Sequence, residues 1–227
     1  RSSATLTISD LFVIADQVGC VWKLEKLCRN KALKAAVEKP ENVKLFLNVD
    51  GNIIQDKAFI QGFTNRRAMK AGVPASDIVF EITERSDIEN YQILQQIMKH
   101  YADQGYEIAL DDVGAGHLGL NRVVNTTPDY LKADIELVRD IHKYKKKEIM
   151  MKLLLDYCNA TGAILIAEGI ETVQELECLH SLGVHYGQGF FLGKPERAFG
   201  NISAESEEIL ERLNGRKNIL FLDISGK

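Results

Sequence analysis

Acidic side chains in this sequence stand where short apolar segments end. One such segment, YEIALDDV (106–113), finishes on two adjacent acids, Asp111 and Asp112, before a glycine-rich turn. Adjacent side chains on a strand point to opposite faces, so we expect these two carboxylates not to form one surface charge pair. Each acid therefore needs a partner other than its neighbour.

Polar groups follow nearly every apolar segment at its carboxyl end. The set comprises Asn48, Glu81 with Glu84, Asp111 with Asp112, Lys132 with Asp134, Glu168 with Glu171, and Gln188. In parallel sheets and barrels these ends meet at one rim, where ligands bind. Each residue alone has an ordinary structural explanation, such as a helix cap at Asp134. Together, on one rim, they are hard to explain as packing.

Many carboxylates on one rim would repel one another unless cations lay among them. Oxygen ligands with one amide, and without cysteine or histidine, favour magnesium, manganese or calcium over zinc. The five histidines show no HxH or HExxH spacing, and only His117, in the glycine-rich loop, remains open as a site residue. The sequence therefore predicts a site for hard divalent cations.

The apolar segments predict six strands that a parallel sheet buries on both faces. They are 44–49, 78–83, 106–113, 130–134, 163–170 and 186–192. Amphipathic helices are predicted over 9–38, 56–71 with a cap at Asp56, 87–104 after a capping box at 86–89, 143–161, and 172–183 with a cap at Gly183. This alternation indicates an α/β protein. Six strands fit a (β/α)₈ barrel without its first two strands or an open doubly wound sheet.

Composition narrows the classes of partner. The 227 residues are 45% hydrophobic and carry a net charge of −4, which gives no general attraction for DNA or RNA. The four cysteines lack CxxC spacing, which favours free thiols in a reducing cytoplasm over structural zinc. The longest apolar segments are strand-sized, so no membrane contact is expected. The chain begins at Arg1 rather than Met, as a fragment would.

Six ordered motifs resemble one family. They are FLNV, FEITE, IALDDVGAG, LKAD, IAEGIE and GQGFFLGKP, and they cover the chain from about Asp10 to Pro195. In order and spacing they are similar to the EAL-domain family, whose members are cyclic-di-GMP phosphodiesterases or inactive receptor relatives. The resemblance implies a modified TIM-type (β/α)₈ barrel of which strands three to eight are visible. The Glu-Ala-Leu motif belongs to the second strand, which this sequence lacks.

The resemblance also implies roles for the polar residues. Metal ligands would be Asn48, Glu81, Asp111, Asp112 and Asp134. Glu168 would be the general base, and Lys132 would hold the attacking water. Supporting or substrate-binding positions would be Glu171, Gln188 and Glu84, the last anchoring the loop after the fifth barrel strand. The implied cofactors are two Mg²⁺ or Mn²⁺ ions, and the implied substrate is cyclic-di-GMP, opened to linear pGpG.

The sequence of the loop after Asp111 differs from the one that is common in the family. It reads DDVGAGHLGL where active members usually read DDFGTGYSSL, so several hydroxyl groups are lost. This change leaves two hypotheses, a metal-dependent phosphodiesterase and an inactive cyclic-di-GMP receptor. An unrelated magnesium barrel enzyme of the enolase type would explain the acidic rim but not six motifs in family order.

The domain organisation predicted from the sequence has two parts. Residues 1–200 form the EAL domain without its first two strands, and residues 201–227 form a helix and an extension toward another module. A barrel without two strands has unpaired edges, so we expect residues 1–227 not to fold stably as a monomer. The resemblance implies a homodimer formed near the fifth and sixth barrel strands.

Overall fold

The computed structural model describes residues 7–82, 91–114, 119–195 and 199–214. Strands and helices alternate along the described chain. The strands are β1 Leu45–Val49, β2 Ile78–Ile82, β3 Glu107–Val113, β4 Tyr130–Ala133, β5 Ile164–Ala167 and β6 Tyr186–Gly187. The helices are α1 Ile8–Gln17, α2 Val21–Ala35, α3 Phe63–Ala71, α4 Tyr91–Ala102, α5 Gly119–Val124, α6 Ile135–Val138, α7 Lys145–Thr161, α8 Val173–Leu182 and α9 Ala204–Asn214.

The six strands form one sheet in which every neighbouring pair is parallel. Their order in space, β1 to β6, is their order in the chain. A doubly wound sheet reverses its strand order at a switch point, so this sequential order excludes the open doubly wound alternative. It is the order of a (β/α)₈ barrel, with β1 and β6 at the two edges of the described sheet.

Helix ends follow local signals where the sequence supplies them. Thr172 and Glu175 form a capping box at the start of α8, and Gly183 ends that helix with φ 89°, as predicted. The helical segment predicted over 9–38 is two helices, because Gly19 adopts φ 64° between α1 and α2. The capping box predicted at 86–89 lies outside the described residues.

Three predicted elements are shorter than expected, among them the strand predicted over 163–170, which is observed over Ile164–Ala167. The helix predicted from Asp56 begins at Phe63, because Gly62 adopts φ 67° before it. The Asp56 carboxylate instead accepts a hydrogen bond from the Ala58 amide at 2.7 Å, which closes a turn. The strand predicted over 186–192 ends at Gly187, and the chain turns at Gly189, whose carbonyl accepts hydrogen bonds from two amides that follow it.

The outer face of the sheet packs against the helices and forms the main hydrophobic core. Helix α9 belongs to this packing, because Leu210 is buried in the core and Ser206 donates a hydrogen bond to the Phe191 carbonyl at 2.6 Å. The extension predicted beyond α9 lies outside the described residues. Within the described ranges, no helix is both long and apolar enough to cross a bilayer.

A buried ion pair connects α2 to the end of β1. Arg29 pairs with Glu25 and donates hydrogen bonds to Thr64 and Tyr101, each at 3.1 Å. The second oxygen of Glu25 accepts a hydrogen bond from the Asp50 amide at 2.7 Å. This network holds the backbone at Asp50, directly after β1, the strand that contains Asn48, the first predicted site residue.

Candidate metal centre

The inner face of the sheet is divided into three layers along the strands. At the amino ends, Lys44 pairs with Glu107, whose carboxylate also accepts a hydrogen bond from the Tyr130 hydroxyl at 2.8 Å. The middle layer is apolar and contains Phe46, Val79, Ala109, Tyr130, Ile164 and Ile166. Since side chains on a strand alternate, the next inward positions at the carboxyl ends carry Asn48, Glu81, Asp111, Lys132 and Glu168. The predicted convergence of polar groups on one rim is therefore observed.

Lys132 lies at the centre of the polar layer and is 2% exposed. Its Nζ is 2.7 Å from Glu81 Oε1 and 2.9 Å from Asp111 Oδ1, and it also pairs with Glu168 Oε1. Burial alone would lower the pKa of Lys132, but the three carboxylates raise it well above its ordinary value. The lysine is therefore an ammonium ion that bridges three buried acids.

A bulge in β3 places two adjacent acids on the same site. The register with β4 shifts between Leu110 and Val113, and Asp112 adopts φ 55°, in the left-handed region. As a result, oxygens of Asp111, Asp112 and Glu168 lie within 4.8 Å of one another. The alternation expected of a regular strand does not hold through the bulge, so both acids reach one site although they are adjacent in sequence.

Glu168 is held by two contacts to one carboxylate oxygen, Oε1. Gln188 donates a hydrogen bond from Nε2 to Glu168 Oε1 at 2.8 Å, beside the contact with Lys132. Burial raises the pKa of Glu168 to about 8, although the Lys132 ammonium acts in the opposite direction. The backbone of Gln188 is also fixed, because its main-chain carbonyl accepts a hydrogen bond from the Ile170 amide at 3.0 Å.

The other predicted site residues lie at the edge of this cluster or outside it. Asn48 is opposite Glu81 in the β1–β2 register and is exposed. Asp134 caps α6 by accepting a hydrogen bond from the Glu136 amide at 2.7 Å. Glu171 pairs with Arg139 at 2.7 Å on the surface. Two further residues, Glu84 and His117, lie outside the described residues.

Sequence reasoning missed one buried acid that contacts the loops after β4 and β5. Glu175, on the first turn of α8, is 2% exposed and accepts hydrogen bonds from the amides of Asp140, Glu171 and Thr172. The signal available in the sequence was the T-x-x-E capping pattern of Thr172 and Glu175. That pattern predicts the contact within α8 but not the contact with Asp140.

Comparison with models of known families identifies the family of this chain. A sequence model described as the EAL domain matches residues 3–195, which is most of the chain. The chain belongs to the EAL domain family. The family resemblance predicted from the six motifs is confirmed.

Similar proteins share this EAL domain at low identity. Cyclic di-GMP phosphodiesterase PdeA of Borreliella burgdorferi is 27% identical over 192 residues. The match covers 83% of this chain but only 28% of that relative, so the chain spans little more than a quarter of the relative's length.

Solved EAL structures have the same fold. BlrP1 of Klebsiella pneumoniae, solved with manganese and cyclic di-GMP, has a TM-score of 0.77 at 27% identity and covers 86% of this chain and 50% of its own. A standalone EAL protein of Vibrio cholerae O395, in its c-di-GMP-bound form, has a TM-score of 0.76 at 25% identity and covers 86% of this chain and 84% of its own. The predicted (β/α)₈ barrel class is confirmed.

The acid cluster of this EAL domain has the chemistry of a divalent-cation site. Hard cations bind oxygen at about 2.0–2.6 Å, so ligand atoms around one ion lie up to about 5 Å apart. The oxygens of Asp111, Asp112 and Glu168 are within that range of one another. The amide of Asn48 and the carboxylate of Glu81 supply further oxygen at the same rim. The residues present therefore fit a divalent metal.

Proposed function

We propose that this EAL domain hydrolyses cyclic di-GMP to linear pGpG with two Mg²⁺ or Mn²⁺ ions. The observation that supports the proposal most directly is the arrangement of Asp111, Asp112 and Glu168 around one point, with Lys132 beside them. A structural ion pair needs one acid for one lysine, whereas this site gathers several acids around a single ammonium. Bound divalent cations would balance the negative charge of these acids once they are ionised.

Each side chain has a distinct task in the proposed reaction. Asn48, Glu81, Asp111, Asp112 and Asp134 would hold the ions. Bound divalent ions supply charge neutralisation at the phosphodiester and lower the pKa of water. Glu168 would accept the proton of the attacking water, because its carboxylate is fixed by Gln188 and Lys132. Lys132 would orient that water without acting as a base.

Further parts of the proposal concern substrate, location and supporting residues. The substrate is a small cyclic dinucleotide, so the net charge of −4 is no obstacle and no extended basic groove is needed. Glu171 and Gln188 would line the substrate side of the rim, and Glu84 would anchor the loop after β3. All four cysteines are free thiols, which agrees with a reducing cytoplasm.

Metal-dependent turnover tests the proposal. We expect purified protein that includes the upstream barrel strands to convert cyclic di-GMP to pGpG with Mg²⁺ or Mn²⁺ and to lose this activity in EDTA. Chromatographic separation of the nucleotides measures the conversion. Binding of cyclic di-GMP without hydrolysis, at saturating metal, would instead identify a receptor of the same family.

Exposed apolar side chains on α5 and α7 support the proposed homodimer. Val124 on α5 and Ile149 and Leu153 on α7 are each more than half exposed, and these helices follow β3 and β4, the fifth and sixth barrel strands. We expect Leu153→Lys to shift the protein from dimer to monomer in size-exclusion chromatography with light scattering. Met69→Lys, at an exposed residue on α3, is the matched control and should leave the dimer intact.

A further inference from the structure

Glu175 makes more contacts than its position in a helix cap requires. One oxygen, Oε2, accepts hydrogen bonds from the amides of Glu171 at 2.9 Å and Thr172 at 3.0 Å. The contact with Thr172 is the one that a capping box makes. A capping glutamate at the surface would leave its other oxygen to water. Here the side chain is almost completely buried, so the second oxygen needs a partner within the protein.

That partner belongs to a different loop. Glu175 Oε1 accepts a hydrogen bond from the Asp140 amide at 2.8 Å, across 35 residues of sequence. Asp140 adopts φ 56°, and it lies in the segment that begins at Asp134 after β4. Burial raises the pKa of Glu175, but the backbone donors outweigh burial and lower it overall. The carboxylate is therefore ionised while it links the two loops.

The two linked loops carry site residues and touch each other elsewhere. One begins at Asp134 after β4, and the other begins at Glu168 after β5. Arg139 of the first pairs with Glu171 of the second at 2.7 Å. Gly169, in the second loop, lies directly against Ile135, since a β-carbon there would come within 2.3 Å of it. The loops form one packed block, and Glu175 provides its buried ionic contact.

We propose that Glu175 is a positioning residue that sets the distance between Asp134 and the acid cluster at Glu168. The inference depends on the proposed function, because it takes Asp134 and Glu168 as parts of one metal-dependent site. Loss of the carboxylate leaves three amide donors without their acceptor and removes the buried link between the loop of Asp134 and the loop of Glu168. The metal ligands then no longer share a fixed geometry. Mutation of a residue that orients metal ligands typically lowers metal affinity or activity by about 10–100-fold.

Titration of Mn²⁺ followed by electron paramagnetic resonance tests this role without relying on turnover. We expect Glu175→Ala to weaken Mn²⁺ binding by at least about 10-fold and to raise the Mn²⁺ concentration needed for half-maximal hydrolysis by a similar factor. Glu175→Gln keeps the volume and one acceptor oxygen, so it should recover part of this loss. Glu177→Ala is the matched control, because Glu177 lies on the same helix and pairs only at the surface with Arg212 at 2.5 Å.

The outcomes separate the positioning role from the proposed reaction. Thermal melts establish that each variant is folded, and Glu175→Gln carries the test if Glu175→Ala does not fold. Mn²⁺ affinities of the folded Glu175 variants within about 2-fold of wild type would overturn the positioning role. If wild type binds Mn²⁺ and never hydrolyses cyclic di-GMP, the reaction is wrong, yet the Mn²⁺ titration still decides the role of Glu175.

Discussion

Replacing Lys132 with methionine is expected to abolish hydrolysis and to destabilise the metal-free protein. The ammonium contacts Glu81, Asp111 and Glu168, all of which are buried. Without it, these carboxylates lose the positive partner that they share. Removal of one partner from a buried charge pair typically costs about 3–5 kcal/mol of folding free energy. The loss should appear as a lower urea midpoint in EDTA.

Added Mn²⁺ should reverse much of this loss of stability. A divalent ion bound among Asp111, Asp112 and Glu168 supplies the positive charge that the variant lacks. We therefore expect Mn²⁺ to raise the melting temperature of Lys132→Met more than that of wild type, although hydrolysis stays absent. A ligand that binds only the folded state stabilises it by an amount that grows with the logarithm of its affinity, so the two shifts can be compared at one Mn²⁺ concentration.

A surface lysine provides the control for Lys132. Lys99 pairs with Asp103 at 2.9 Å in the exposed part of α4. Such pairs contribute at most about 1 kcal/mol, so Lys99→Met should change neither stability in EDTA nor the response to Mn²⁺ appreciably. Equal stability of Lys132→Met and Lys99→Met in EDTA would contradict the assignment of Lys132 as the countercharge of the site.

The sequence predicts the sheet well because its strands are buried on both faces. All six predicted strands begin within one residue of their observed starts, and helices α7 and α8 also end as expected. The errors occur where glycine backbone decides the structure. A β-carbon at Gly189 would lie 2.2 Å from the Ile170 backbone, so only glycine fits where the chain turns, although the residues that follow, 190–192, are apolar. That contact is tertiary and leaves no periodic signal.

The candidate site is predictable in composition but not in geometry. Parallel strands bring their carboxyl ends together, so the convergence of Glu81, Asp111 and Glu168 follows from the strand pattern. The bulge that turns Asp112 toward the same point depends on the register with β4. The link from Glu175 to Asp140 depends on how two loops pack. Neither arrangement has a signature within one segment of sequence.

Glu168→Gln is expected to lower kcat by at least about 100-fold while cyclic di-GMP still binds. The amide has nearly the same shape as the carboxylate and can still accept the hydrogen bond from Gln188, which is 2.8 Å in wild type. It cannot take a proton from water at neutral pH. Rapid-quench chromatography measures kcat, and calorimetry with Ca²⁺ in place of the activating metal measures the affinity for cyclic di-GMP.

Glu107→Gln is the matched control for this experiment, because Glu107 lies on the same inner face at the opposite ends of the strands. Its loss weakens contacts with Lys44 and Tyr130 but leaves the polar layer at the carboxyl ends unchanged. We therefore expect wild-type kcat with lower thermal stability. Wild-type hydrolysis by Glu168→Gln would show that another group accepts the proton. Glu168 would then be a carboxylate that only holds Lys132 and Gln188 in place, and the general base would have to be sought among the remaining acids of the rim.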